Sequence, residues 1–106
     1  QAAHYRQFLA GKIASVQDRG WFPADASRVR NELTIIDTDG NEHRPDRVVV
    51  TPTETLIVDF KFGEESPAYR GQVRRYERLY REMGYPAVRG YLWYIREEGA
   101  DKIVEV

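Results

Sequence analysis

The sequence predicts one mixed domain of the α/β class, an α+β fold with a mixed sheet, in the element order α-β-β-β-α-β-β. Two segments, near residues 4–19 and 67–84, show the three- and four-residue apolar spacing of amphipathic helices. Other segments, between residues 29 and 62 and again after residue 87, show the alternation of strands. A chain of 106 residues is long enough for one hydrophobic core and too short for two, so a single domain over residues 1–106 is expected.

The N-terminal third predicts a helix followed by a strand. Over residues 4–19, five apolar side chains recur at the three- and four-residue steps of a helix: Tyr5, Phe8, Leu9, Ile13 and Val16. Gly20-Trp21-Phe22-Pro23 ends this helix, and a strand is predicted from Val29 to Ile36. Because side chains alternate along a strand, Glu32 would lie on the face opposite Leu33 and Ile35. Asp39-Gly40-Asn41 then predicts a hairpin turn.

Two more strands are predicted before the second helix, over residues 47–51 and 56–62, with Pro52 between them. One face of the longer strand carries four apolar side chains, Leu56, Val58, Phe60 and Phe62. The opposite face carries Ile57, Asp59 and Lys61. If the two strands form a hairpin, Asp46, at the start of the earlier strand, approaches Asp59.

The C-terminal half predicts a helix and two strands. Ser66 is the expected N-cap, Pro67 the first helical residue and Gly84 the stop. An aromatic-rich strand follows from Val88 to Ile95, and a turn then leads to a short last strand from Lys102 to Val106.

Composition restricts the classes of function. The chain has no cysteine, which excludes disulfides, thiolate zinc sites, cysteine nucleophiles and cysteine-ligated iron–sulfur clusters within it. Its net charge of −1, from 16 Lys and Arg against 17 Asp and Glu, is unlike that of a histone-type nucleic-acid binder. No apolar run approaches the ~20 residues of a membrane span, so we expect no membrane partner. A cytoplasmic location is expected because it fits the absence of cysteine. The chain starts at Gln1 without a methionine, so we expect it to be part of a longer protein.

The clearest chemical signal lies on the predicted strand 56–62. Asp59 and Lys61 project from one face, roughly 6–7 Å apart along the backbone, with the Phe60 carbonyl between them. Charges fit poorly beside an apolar run unless they serve a site or pair with each other. Two interpretations are open: a metal site that uses Asp59 and the Phe60 carbonyl, or a mutual ion pair of Asp59 and Lys61.

Two further carboxylates are candidates for the same cluster. Asp46 would face Asp59 across the hairpin, and two close carboxylates repel each other unless a proton or a cation relieves them. Glu32 would point toward the cluster if the first strand pairs with the second, although a lone glutamate on a solvent face is equally ordinary. Carboxylate oxygens are the ligands that Mg²⁺ and Mn²⁺ prefer.

The second helix carries the remaining candidates. Gln72 and Tyr76 are four residues apart and therefore neighbours on its surface, although Tyr76 alone is typical of a core. Arg70 and Arg74 belong to a set of arginines that either face solvent or contact phosphates. His43 is close to Asp46 in the sequence, but a histidine beside a turn is usually solvated, so we assign it no role.

In this order the motifs resemble the PD-(D/E)xK nuclease superfamily, and most closely its RecB-like branch. The motifs are Glu32, Arg44-Pro45-Asp46-Arg47-Val48, Ile57-Val58-Asp59-Phe60-Lys61-Phe62-Gly63, Gln72-x-x-x-Tyr76 and the tail Gly90-Tyr91-Leu92-Trp93-Tyr94. Nearly the whole chain looks like the C-terminal nuclease domain of UvrD/Rep-type ATP-dependent helicase-nucleases, which implies a restriction-endonuclease-like core.

The resemblance implies a Mg²⁺- or Mn²⁺-dependent (exo)deoxyribonuclease of DNA repair and recombination. Asp46 and Asp59 would bind the metal, assisted by the Phe60 carbonyl and Glu32. Lys61 would orient the attacking water or stabilise transition-state charge. Support of the site or contact with DNA would come from Gln72, Tyr76, Arg70 and Arg74. The implied partners are DNA and the helicase motor domains of the same parent chain.

One departure from the family pattern bears on activity. RecB-like nucleases often carry a metal-binding histidine on a helix well upstream, and His4 is too near the first strand to be that residue. The matching segment is expected before residue 1, so that the fragment alone would bind metal weakly and cleave poorly. One alternative is a non-catalytic module of the same fold that guides DNA or docks against the motor. A small interaction domain unrelated to nucleic acid is another.

Overall fold

The computed structural model describes residues 2–29 and 35–106. The described residues form two α-helices and six strands: α1 (Ala2–Ser15), β1 (Ile35–Ile36), β2 (Glu42–His43), β3 (Arg47–Val50), β4 (Thr55–Lys61), α2 (Pro67–Glu82), β5 (Val88–Tyr94) and β6 (Lys102–Glu105). Short 3-10 helices lie at Gln17–Arg19 and Ala26–Arg28. The predicted α+β class, with two helices and a mixed sheet, is confirmed.

Four strands form the central sheet in the order β3-β4-β5-β6. β3 and β4 make an antiparallel hairpin, β5 runs parallel to β4, and β6 returns antiparallel to β5. A parallel pair needs a long connection that returns the chain to the starting edge, and α2 provides it. α2 thus lies on β4 and β5, directly beside the candidate residues.

Apolar side chains cover both faces of the central sheet. The apolar layer between α2 and the sheet contains Ile35, Val48, Ile57, Tyr76, Leu79, Tyr80 and Val88. The layer on the other face, where the segment after α1 packs, contains Val16, Trp21, Val49, Leu56, Val58, Tyr91, Trp93 and Ile95. Neighbouring residues of β4 therefore point to opposite layers, as the alternation of strand side chains requires.

The hairpin before the central sheet differs from the prediction. Among the described residues the first strand is only Ile35–Ile36, and it pairs with Glu42–His43, a strand that the sequence did not predict. Before β1 in the chain, Val29 forms an isolated antiparallel bridge with Val49 of β3. The described order is therefore α-β-β-β-β-α-β-β, and residues 30–34, including Glu32, lie outside the described part.

The physical reason for the extra strand is the turn between β1 and β2. Asp37 Oδ1 accepts hydrogen bonds from the N–H groups of Asp39 at 2.9 Å and Asn41 at 3.0 Å. This side-chain turn brings the chain back early, and Gly40 in it has the left-handed φ of 85° that glycine tolerates. The connection between β1 and β2 therefore spans only residues 37–41, and the hairpin is complete before β3 begins.

Element ends elsewhere follow local signals. α1 ends at Ser15 rather than residue 19, because its last predicted turn winds into the 3-10 helix Gln17–Arg19. Ser66 Oγ accepts a hydrogen bond from the Ala68 N–H, which confirms the predicted N-cap of α2. Phe62, predicted on the apolar face of the third strand, lies beyond the end of β4 and is 61% exposed.

Candidate active site

Asp46 and Asp59 face each other at the open end of the β3–β4 hairpin. The last paired residues of the ladder are Arg47 and Val58, so the next residue on each strand is an aspartate. The Asp46 N–H donates to Asp59 Oδ1 at 3.1 Å, and the Phe60 N–H donates to Asp46 Oδ2 at 2.8 Å. The predicted approach of the two carboxylates across this hairpin is confirmed.

The two carboxylates have different environments. Asp59 is buried, with 3% of its surface exposed, whereas Asp46 is exposed. Burial raises the pKa of Asp59, the hydrogen bond from the Asp46 amide lowers it, and the nearby charge of Asp46 raises it again. A cation beside this pair would stabilise both ionised groups, because it offsets burial and mutual repulsion together.

Lys61 projects from the same face of β4 as Asp59, as predicted. Its Nζ lies 3.4 Å from Asp59 Oδ2 and donates to Gln72 Oε1 at 3.2 Å. The ammonium group also lies 4.4 Å from the ring centroid of Tyr69. The ion pair that was the plain alternative is thus present, and the contacts with Gln72 and Tyr69 hold the ammonium beside Asp59.

Gln72 and Tyr76 form the α2 side of the site. Gln72 and Tyr76 border the same cleft, and Tyr76 is 5% exposed. Burial raises the pKa of Tyr76 to about 12, and the charges of Asp59 and Asp46 act in the same direction. At neutral pH the Tyr76 hydroxyl is therefore protonated. Tyr76 is a core residue as well as part of the site wall.

The oxygen donors of the site fit a divalent cation of the magnesium type. Mg²⁺ keeps several waters and is commonly held by one or two carboxylates together with substrate phosphates. Asp46 is exposed, and its Oδ1 accepts no hydrogen bond from the described residues. No group of three His, Asp or Glu side chains suited to a metal occurs in residues 2–29 and 35–106. The fit therefore rests on two carboxylates, with Glu32 outside the described residues.

The Phe60 carbonyl also faces the Asp46 side of β4. The N–H and C=O of one strand residue point in the same direction, and the Phe60 N–H is bonded to Asp46. The β3–β4 ladder ends at Val58, so β3 provides no ladder partner for this carbonyl. Its orientation agrees with the predicted role of an additional oxygen ligand, which stays a prediction.

An open cleft of about 630 Å³ adjoins these residues, between β2 and the first half of α2. Its walls include Glu42, His43, Tyr69, Gln72, Arg75 and Tyr76. Arg70 and Arg74, the two arginines selected from the sequence, do not line it, although both are exposed. Their predicted contact with DNA is untested, and Arg75 is the helix arginine that borders the cleft.

His43 is a residue whose environment the sequence did not reveal. It is buried rather than solvated, with 8% exposure, and its Nε2 lies 2.8 Å from Asp37 Oδ2. Its ring centroid lies 6.4 Å from that of Tyr76 in an edge-on arrangement. The available signal was the pair Asp37 and His43, one on each side of the predicted turn.

No protein-family model, curated protein or solved structure matches this chain in the three comparisons. No helix in the described ranges is long and apolar enough to cross a membrane.

Proposed function

We propose that this domain is a Mg²⁺- or Mn²⁺-dependent DNA nuclease that hydrolyses phosphodiester bonds. The carrying observation is the cluster of Asp46, Asp59 and Lys61, in which the Asp46 backbone N–H donates to Asp59 Oδ1 and the Lys61 ammonium lies 3.4 Å from Asp59 Oδ2. An open cleft lies next to this cluster, and its wall includes Tyr69 and Gln72, which both contact Lys61. Acidic oxygens with an adjacent lysine suit phosphodiester hydrolysis.

Each residue has a separate part in the proposed chemistry. Asp46 and Asp59 would hold the ion, which would polarise a phosphoryl oxygen and lower the pKa of a bound water. Lys61 would orient the attacking water or stabilise the negative charge that develops on the phosphoryl oxygens. Gln72 is a positioning residue, because its Oε1 accepts a hydrogen bond from Lys61 Nζ.

The wider biological setting rests on the motif resemblance. On that resemblance we propose that the domain has a restriction-endonuclease-like fold of the RecB-like branch. It would act as an exonuclease beside the motor domains of an ATP-dependent helicase in DNA repair and recombination. The proposed partners are DNA and those motor domains, and the proposed location is the cytoplasm.

A non-catalytic DNA-guiding module is the second candidate, and one observation favours it. Both oxygens of Asp59 already have partners, the Asp46 N–H and the Lys61 ammonium. A site that has lost its metal could be stable in this form, because the buried carboxylate is paired. This candidate predicts DNA binding that depends neither on a divalent metal nor on Lys61.

DNA cleavage separates the two candidates. We expect Mg²⁺- or Mn²⁺-dependent loss of a labelled DNA substrate, and we expect both Asp46→Asn and Lys61→Met to reduce the rate by a factor of at least about 100. Lys102→Met is the matched control, because Lys102 pairs with Glu65 in a different contact. Cleavage that persists in Asp46→Asn, or that needs no divalent metal, contradicts the proposed function. DNA binding without any cleavage favours the second candidate.

A further inference from the structure

The cleft between β2 and α2 is adjacent to the candidate metal site. Two of its wall residues, Tyr69 and Gln72, also contact Lys61, at 4.4 Å from the Tyr69 ring centroid and 3.2 Å from Gln72 Oε1. A chain that lies in the cleft is therefore separated from Lys61 by these two side chains alone. At about 630 Å³ and open to solvent, the cleft has room for part of a polymer.

Arg75 provides a cation on the wall of this cleft. Its side chain is exposed and has no ion-pair partner among the described residues, in contrast to Arg81, which lies 3.4 Å from Glu77. Arg75 is three residues from Gln72, so both lie on one side of α2. Arg74 points about 100° away from Arg75 around the helix, which explains why it does not line the cleft.

His43 provides an oriented polar group on the opposite wall. Its Nε2 is engaged by Asp37, and the Asp37 carboxylate is in turn fixed by the turn amides of Asp39 and Asn41. Nδ1 has no hydrogen-bond partner in the described part of the chain. The ring is therefore held in one orientation as a fixed part of the cleft wall.

We propose that this cleft binds the DNA sugar–phosphate backbone next to the bond that is cleaved, with Arg75 as the phosphate contact. A guanidinium group matches phosphate oxygens through paired donors, and phosphate contacts position a strand without reading its sequence. The inference rests on the proposed function, since it assigns the substrate path for that same site.

Glu42 allows a second test of the same cleft, in which the substitution should strengthen DNA binding instead of weakening it. It is an exposed carboxylate on β2 and belongs to the cleft wall. A phosphate bound in the cleft would be repelled by this carboxylate, so neutralising it should strengthen binding of DNA in the cleft. Loss of Arg75 should do the opposite.

The experiment is fluorescence anisotropy of a labelled single-stranded oligonucleotide, and of its duplex in parallel, with the full chain in EDTA over a range of salt concentrations. We expect Arg75→Gln to weaken binding about three- to tenfold and to reduce the salt slope by about 1. Glu42→Gln should tighten binding, and Arg74→Gln, the matched control on α2, should leave it unchanged. Circular dichroism of each variant confirms that it is folded.

Three results would overturn the inference: no binding by the wild type, no effect of Arg75→Gln, or equal losses in Arg75→Gln and Arg74→Gln. Because EDTA removes metal-dependent turnover, failure here is separable from failure of the nuclease proposal. Metal-dependent cleavage that is insensitive to Arg75 rejects only the cleft. A selective effect of Arg75 in a protein that binds no metal supports the cleft as a DNA surface and rejects the nuclease.

Discussion

Gly90 shows how one residue sets the distance between α2 and the sheet. A Cβ atom at this position would lie 2.3 Å from Glu77 Oε2 and 2.5 Å from Val73 Cγ1. Both side chains are buried, with 5% and 0% exposure. α2 therefore packs directly on the backbone of β5, and Gln72, next to Val73, comes within reach of Lys61.

Gly90→Ala should destabilise the fold by about 1–3 kcal/mol, because the added methyl group forces buried side chains out of place. Gly71→Ala is the matched control, since Gly71 lies within α2 and has nothing within 4 Å of the added atom. Removing a glycine from a helix should increase the unfolding free energy by about 0.5–1 kcal/mol. Urea denaturation measures both, and equal stability of Gly90→Ala and wild type would refute the close packing.

At the scale of elements, Asp101 joins α1 to the β5–β6 hairpin. Its Oδ1 accepts from Lys12 Nζ at 2.7 Å and from the Arg96 N–H at 2.9 Å, and its Oδ2 accepts from Trp93 Nε1 at 3.0 Å. Burial acts to raise the pKa of Asp101, but the hydrogen bonds from Arg96, Lys12 and Trp93 together lower it. The ionised form therefore stabilises the contact between α1 and the sheet.

Asp101→Asn should reduce the unfolding free energy at pH 7 by about 1–3 kcal/mol, because a partly buried charge-assisted acceptor is lost. A lowered folded pKa means that this stabilisation exists above the ordinary aspartate value of 3.8 and disappears as pH falls through the folded value. The difference from wild type should accordingly shrink toward pH 3. Denaturation at several pH values measures it, with the exposed Glu98→Gln as control. A difference that is independent of pH would argue against the role of the charge.

At the scale of the whole molecule, the parts that the sequence predicted are those with local signals. Ser66-Pro67 marks the start of α2, and Pro52 marks the break between β3 and β4. The approach of Asp46 to Asp59 could be predicted from that hairpin together with the alternation of strand side chains. The faces of β4 followed from the same rule.

The parts that escaped prediction depend on contacts between distant elements. β2 has two residues, too few for any periodicity to reveal it, and its place depends on the Asp37 turn. Arg75 borders the cleft, whereas Arg70 and Arg74 do not, because β2 lies beside one side of α2. The sequence pattern of α2 alone does not indicate which side that is. The burial of His43 has the same origin, because Tyr76 lies against it.

Calorimetric titration of the folded chain with Mn²⁺ tests the central claim most directly, because metal binding does not require turnover. We predict binding by the wild type that is lost in both Asp59→Asn and Asp46→Asn and retained in Asp18→Asn, a control in the exposed 3-10 helix Gln17–Arg19. Binding that survives both substitutions, or no binding by the folded wild type, would contradict a metal site at Asp46 and Asp59 in this chain.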